Sequence, residues 1–244
     1  MRKYKYELHC HTSDVSLCAS STAAEAVQFY KERGYDGVVI TDHYSPQTFL
    51  FHRAFMPQRY IDRYLRGYRR ALEAAGDGFT VLWAVEVRFF FTIDDFLIYG
   101  ADEEFLRNSG NLMTKYLRRL KRLCDENNLI LLEAHPFREL RFRHNPALLH
   151  GCEVYNGKDK DTDANRKAKK WAKDNSFGIV TSGGDFHNKK NTNPGGIITN
   201  EPIKTMSDLM RILRSGEYEL IEEYADTLND VQENYDERSD RHIN

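Results

Sequence analysis

A chain of 244 residues with 41% hydrophobic and 30% charged side chains has room for one large core, and its formal net charge of −2 leaves no global field to hold a nucleic-acid backbone or an anionic membrane. No apolar run approaches the ~20 residues of a membrane span, and the opening "MRKYKYEL" lacks a signal-peptide core, so a cytoplasmic protein is expected. Cys10, Cys18, Cys124 and Cys152 form no Cys-x-x-Cys pair and suit reduced thiols.

In chain order, residues 5–9 start as a strand, and Ser21 or Thr22 caps the amphipathic stretch "AAEAVQFYKER", which stops at Gly34. "DGVVIT" is short and β-branched, as a buried strand is. Residues 57–75 predict a helix with Pro57 near its first turn and Gly76 at its end. "FTVLWAVEVRFF" and "DFLIYG" read as strands that could be neighbours. Residues 111–127 carry Leu112, Tyr116, Leu117, Leu120, Leu123 and Cys124 at helical spacing. "LILLEAH" and "GCEVYNG" follow as strands, then a helix over 162–175, the strands "FGIVTSGG" and "GGIITN", and a last helix near 206–215. Strands separated by such helices imply parallel βαβ units, and seven or eight of them imply a closed barrel. The expectation is an α/β fold in a single domain over 1–221, followed by an acidic tail over 222–244.

Five of the strand-like runs end on polar residues of one chemical kind. His9-Cys10-His11 follows "KYKYEL", Thr41-Asp42-His43 follows "YDGVVI", and Glu86 closes "FTVLWAV". Ala134-His135-Pro136 follows "NLILLE", and Asp185-Phe186-His187 follows "FGIVTSGG". Histidine and carboxylate are donors that borderline divalent metals prefer, and a carboxylate can bridge two ions. One histidine at a strand end is usually a hydrogen-bonded structural residue. Five such ends in one chain point to a multinuclear metal centre at the mouth of a barrel. Strand alternation agrees, since Ala84, Glu86 and Arg88 share a face, as do Leu131, Glu133 and His135, and Val39, Thr41 and His43. Asp42 then turns away to support the shell, and Cys10 points away from its flanking histidines into the packing.

The ordered set "ELHCHTSD", "VVITDHY", "AVEVRF", "EAHPF", "EVYNG" and "SGGDFHN", spanning roughly residues 6–200, resembles the PHP (polymerase and histidinol phosphatase) superfamily. A lone His-x-His is weak, but the combination closing on Gly183-Gly184-Asp185-Phe186-His187 is specific. The resemblance implies a distorted (β/α)7 TIM-like barrel, two or three divalent ions (zinc, iron or manganese) and hydrolysis of phosphate esters. Carried across by motif, it implies His9, His11 and Asp185 on a first metal, with Glu86 bridging the first and second. His135 is then on the second metal, and His43 and His187 on a third. Two departures stand out. Where the family usually has a His or Asp beyond the Ser that follows His-x-His-Thr, this chain reads "TSDVSLCASS", which offers Asp14 as the nearest carboxylate and Cys18 as the nearest soft ligand. The family's further histidine has no counterpart in residues 87–134, where Asp94, Asp95, Asp102 or water could replace it.

Around these residues, Arg88 shares a face with Glu86 and is the candidate phosphate clamp. Glu153 and Asn156 follow another strand. Glu153 divides between support of a histidine and a core carboxylate paired with a lysine. Arg138, Arg141 and Arg143 crowd the loop after His135, and at least two read as solvated charge. His52, His144, His150 and His242 belong to no pattern. Tyr44, Phe49, Phe51 and Phe55 either pack a loop over 44–58 onto the barrel or present aromatic faces to an organic group. The activity implied is hydrolysis of a small-molecule phosphate ester by metal-activated water, with no protein nucleophile and no residue that selects histidinol phosphate. A nucleic-acid polymer or a membrane is not the expected partner. The other classes that fit are an amidohydrolase-type C–N hydrolase, against which Thr-Asp-His and the terminal Asp-x-His argue, and a non-catalytic accessory metal module.

Overall fold

The computed structural model describes residues 2–51, 57–138, 143–159, 162–190 and 193–222. His52, Phe55, Arg141, His242, the Phe51 side chain and all of the tail after Glu222 lie outside the described residues. The strands in chain order are β1 (Tyr4–Cys10), β2 (Gly37–Ile40), β3 (His43–Tyr44), β4 (Thr80–Trp83), β5 (Val85–Arg88) and β6 (Asp95–Tyr99). They continue as β7 (Ile130–Glu133), β8 (Gly151–Asn156), β9 (Ile179–Gly183), β10 (Ile197–Thr199) and β11 (Glu219–Leu220). The helices are α1 (Ala23–Glu32), α2 (Pro46–Phe51), α3 (Pro57–Tyr64), α4 (Arg66–Ala75), α5 (Glu103–Asn108), α6 (Leu117–Glu126), α7 (Ala164–Asp174) and α8 (Met206–Ser215).

Local chemistry explains several boundaries. Thr22 begins α1 through a reciprocal capping box with Glu25. The helix expected over 57–75 divides at Leu65 into α3 and α4. The one expected over 111–127 opens with a 3-10 turn at Leu112–Thr114 before α6. The short helix α5 is an addition, begun by the Asp102 carboxylate accepting from Phe105 N at 2.7 Å.

The strands form two sheets, in the orders β11-β10-β1-β2-β4 and β3-β5-β6-β7-β8-β9. β1, β2 and β4 are parallel, as are β3 with β5 and β7 with β8 and β9. The expected run of parallel units is broken at β6, which is antiparallel to both β5 and β7. Residues 89–94 are too few for a helical crossover, so β5 and β6 make a hairpin. The expected strand β10 is antiparallel to β1, and β11, an addition, is antiparallel to β10. The expected strand "FTVLWAVEVRFF" therefore divides at Ala84, with β4 in one sheet and β5 in the other. A parallel bridge from Cys10 to Phe186 ties the end of β1 to the segment after β9.

Leu8, Leu97, Tyr99, Ile130, Leu132 and Ile197 fill one buried cluster against α8, each aliphatic side chain contributing about 1.5–3 kcal/mol. Tyr99 keeps its hydroxyl satisfied there by donating to Leu8 O at 3.1 Å. No helix among the described residues is long and apolar enough to cross a membrane.

Two buried carboxylates hold the strand ends. Glu7 Oε1 accepts from Leu8 N, His9 N and Gly184 N at 2.9, 2.8 and 2.8 Å, tying β1 to the turn after β9. Asp42 accepts from Thr12 N, Thr12 Oγ1 and Ser16 Oγ at 2.7, 2.8 and 2.7 Å. Helix α4 presses on this second cluster at Gly67, where a Cβ would lie 2.2 Å from Asp42 Oδ2 and 2.5 Å from Thr12 Oγ1. Gly67→Ala is expected to cost about 1–3 kcal/mol through this overlap, read as a lower denaturation midpoint. An unchanged midpoint would show that α4 can withdraw freely.

Candidate metal centre

Five strand ends deliver the seven expected ligands to one place. Glu86, on β5, is fully buried, and both its oxygens face imidazoles. Oε1 lies 3.2 Å from His9 Nε2 and 3.1 Å from His135 Nε2. Oε2 lies 3.2 Å from His11 Nε2 and 2.6 Å from His43 Nδ1. Asp185 Oδ1 sits 3.6, 3.3 and 3.2 Å from His9 Nε2, His11 Nε2 and His187 Nδ1. Two of these residues occupy the sparsely allowed left-handed region, His135 at φ 31° and Asp185 at φ 50°, as side chains aimed into functional sites often do. The turn before Asp185 needs glycine for a different reason. A Cβ on Gly183 would meet His9 Cβ at 2.4 Å and Glu153 Oε1 at 2.5 Å.

Partners on the far side of each ring set its orientation. Glu153 Oε1 lies 2.9 Å from His9 Nδ1, while Oε2 accepts from His135 N at 2.9 Å and Asn156 Nδ2 at 2.8 Å. Glu153 thus supports histidines, and no lysine pairs with it among the described residues. His11 Nδ1 lies 3.3 Å from Ser16 Oγ, and His187 Nδ1 lies 2.9 Å from Asp185 O. The second nitrogens of His9 and His11 consequently face the centre.

Electrostatics follow from crowding these groups together. Burial opposes the charge of Glu86, yet His43, His9 and His11 hold its carboxyl well below the usual range. Asp185 is held low against burial by Lys158, His9 and Arg138. Burial likewise opposes protonation of His9 and His43, but Glu153 raises the first and Glu86 the second well above the ordinary value. His187 is pushed up to about 9 by Asp185, against its burial. His11, buried beside His187 and His43, is held well below. Carboxylates this deep demand positive charge, which protons or metal cations can both supply.

The donor atoms group into overlapping triads, each within 4.8 Å: His9, His11 and Asp185; His9, Glu86 and His135; His43, Glu86 and Asp95; His11, His43 and His187. The donor set fits divalent ions, and so does the orphaning of two buried atoms. His43 Nδ1 and Glu86 Oε2 face one another off the line of a hydrogen bond, and neither makes one. Of the three aspartates considered in place of the absent histidine, Asp95 enters the cluster, with Oδ2 3.7 Å from His135 Nε2. Asp94 faces His144, and Asp102 caps α5.

Asp14 is a correction. Its carboxylate accepts from Ala23 N at 2.9 Å, at the start of α1, and pairs with Arg70, so it points away from the centre. Cys18 faces the centre instead, with Sγ 3.0 Å from His187 Nε2. Burial opposes its ionisation, but hydrogen bonds with His187 and His43 lower the thiol to about 6.

A pocket of about 450 Å³ opens over these groups, bordered by Arg88, Arg138, Lys158, Gln47 and Leu17. Arg88 makes a two-pronged pair with Asp95 at 2.7 and 2.6 Å, so its guanidinium is held in place at the rim. Of the three arginines after His135, Arg138 is the one among the described residues that engages the site. It bonds Asp185 Oδ2 at 2.9 Å, Asn156 Oδ1 at 2.7 Å and Asp159 Oδ2 at 3.0 Å. Lys158 Nζ lies 3.7 Å from Asp185 Oδ1, a contact that no motif signalled. Arg143 sits over the Phe137 ring. Tyr44 is buried and Phe49 packs edge-on against Tyr60, so these two aromatics anchor their loop and do not line the pocket.

No family model matches the sequence, and no curated protein matches it. Solved structures do. A two-domain protein from Bacteroides vulgatus ATCC 8482, containing a predicted PHP-like metal-dependent phosphoesterase, is similar at TM-score 0.63 and 13% identity, over 91% of this chain and 65% of that one. PsfC from Pseudomonas syringae PB-5123 is similar at TM-score 0.65 and 15% identity, over 98% and 99% of the two chains. The lesion-specific endonuclease PfuEndoQ from Pyrococcus furiosus is similar at TM-score 0.59 and 14% identity, over 90% of this chain and 58% of that one. The chain thus spans about two thirds or less of the first and third of these. What it shares with them at such identities is a fold, a mixed α/β fold with two sheets.

Two outcomes follow from the site. Glu153→Gln removes the negative charge behind His9, so metal affinity should fall about 10–100-fold, and unchanged affinity would reduce Glu153 to a packing role. Because His187 holds a proton up to about 9, a cation must displace it at neutral pH. Zinc uptake should therefore release protons, and apparent affinity should rise with pH. Calorimetry in buffers of different ionisation enthalpy checks this, and zero release would contradict it.

Proposed function

We propose that this chain is a metal-dependent phosphoesterase that hydrolyses a small phosphorylated molecule, on one domain over residues 1–221 built as a distorted seven-unit barrel. The observation that carries the reading is Glu86, a buried carboxylate whose two oxygens face four imidazoles. His9, His11 and Asp185 would hold a first cation, Glu86 would join it to a second on His135 with Asp95 beside it, and His43 and His187 would hold a third. Mixed imidazole and carboxylate donors suit zinc, iron or manganese. When bound, such ions supply Lewis acidity and make water a nucleophile near neutral pH.

The chain's own residues do the rest. Glu153, Ser16 and the Asp185 carbonyl fix the imidazole rings, so little reorganisation is needed as charge builds. Arg88 and Lys158 border the pocket on the side where non-bridging phosphate oxygens would lie, and Arg88 is held ready by Asp95. Arg138 is spent on Asp185, Asp159 and Asn156, and its part is to hold Asp185. A pocket of about 450 Å³ fits a small ligand, and the net charge of −2 gives no track for a polymer.

Glu86→Gln keeps the shape and removes the bridging charge. Turnover of phosphomonoesters should fall roughly a hundredfold or more, with reduced metal content by elemental analysis. Wild-type turnover in this variant would remove Glu86 from the centre. A preference of the wild-type protein for DNA, or for amides, would overturn the substrate class. Tight metal binding with no turnover across a panel of phosphorylated metabolites would favour an accessory metal module.

A further inference from the structure

The outer edge of the cluster is short of a ligand. His11 turns Nε2 inward, 3.0 Å from His9 Nε2 and 3.3 Å from Asp185 Oδ1, and its Nδ1 faces Ser16. One nitrogen lone pair cannot serve the inner and the outer site at once. His43 and His187 are then two imidazoles where a borderline cation usually gathers four donors. The segment between Ser13 and Ser21 offers two further side chains, and Asp14 is already committed to Ala23 N and Arg70.

Cys18 is placed differently. Its sulfur lies 3.0 Å from His187 Nε2 and borders the pocket together with His43. The loop that carries it is fastened to the histidine's own backbone, since Ser20 N and Ser21 N both donate to His187 O, at 2.8 and 3.2 Å. The ring of His187 is fixed in turn by Asp185 O on Nδ1, which leaves Nε2 and the sulfur facing each other. On the opposite side the buried His43 Nδ1 makes no hydrogen bond.

We propose that Cys18 is a metal ligand, so that the outer site is formed by His43, His187 and a thiolate and prefers a softer cation than the inner sites. The proposal rests on the reading of this cluster as a metal centre. Binding exchanges the thiol proton, released to solvent, for a sulfur–metal bond. A thiolate favours zinc, cobalt or ferrous iron over manganese, whereas the carboxylate-rich inner sites accept any of them. Cys10, Cys124 and Cys152 are buried in the apolar core, so a sulfur–metal signal would report on Cys18 alone.

The test strips the full chain with a chelator and titrates it anaerobically with cobalt(II), for the wild type, Cys18→Ser and Cys18→Asp. The wild type should show a near-ultraviolet thiolate-to-cobalt charge-transfer band beside the weaker visible bands of histidine and carboxylate coordination. Cys18→Ser should lose that band and keep the visible ones. Cys18→Asp should also lack it, and should shift the outer site toward manganese in competition measurements. A charge-transfer band that survives in Cys18→Ser, or wild-type cobalt binding with visible bands alone, overturns the proposal. Failure of the wild type to bind cobalt at all overturns the metal-centre reading with it.

Discussion

Removing the Glu86 carboxylate from water costs several kcal/mol unless positive charge meets it, and much of the molecule around β5 serves that need. Four imidazole nitrogens lie within 3.2 Å of its two oxygens, drawn from the ends of β1, β3 and β7 and from the residue just beyond β1. Asp185 and Asp95 then add carboxylates that the same imidazoles must also balance. A protein built for stability alone would replace such a knot with apolar side chains. Its presence at the strand ends gathers a donor set that fits divalent cations.

The remaining buried carboxylates have a different task. Glu7, Asp42 and Glu153 accept hydrogen bonds from backbone amides, from hydroxyls or from the rear of a histidine ring. Each fastens one strand end or turn to another, and each is satisfied without a cation. The rings are thereby locked from behind and the centre is preorganised, which matters more for chemistry than the strength of any single contact. Glycine at 67 and 183 lets backbone approach these carboxylates within distances that a side chain would forbid.

Direction of travel along the sheet explains the least expected member of the cluster. The rim residue Arg88 closes β5 and His135 follows the end of β7, but β6 runs the other way and brings its first residue, Asp95, there. Asp95 is paired in register with Arg88, so the hairpin delivers an aspartate to the cluster and fixes an arginine at the rim in one step. A carboxylate on a reversed strand thus reaches the cluster from residues 87–134, the segment in which the PHP resemblance leads one to expect a histidine.

Much of this was legible in the residues. The polar endings of apolar runs pointed to the seven donors, and for those inside strands, such as Glu86, the alternation of side chains ties direction to the neighbours. Alternation also turned Asp42 away from His43, and the stop at Gly34 together with a cap at Ser21 or Thr22 bracketed α1, whose cap is Thr22. Contacts between segments distant in sequence decided the rest. Asp14 and Cys18 lie four positions apart in a loop with no period, and only the packing of α1 and Arg70 draws the first outward while His187 meets the second. Asp94, Asp95 and Asp102 were equivalent by composition until the hairpin and the start of α5 separated them. Arg138 resembled any solvated loop cation until Asp185, Asp159 and Asn156, supplied by later strands and turns, closed around it. Local periodicity determines which way a strand residue points, whereas a loop residue or a reversed strand takes its direction from partners that exist only once the chain has folded.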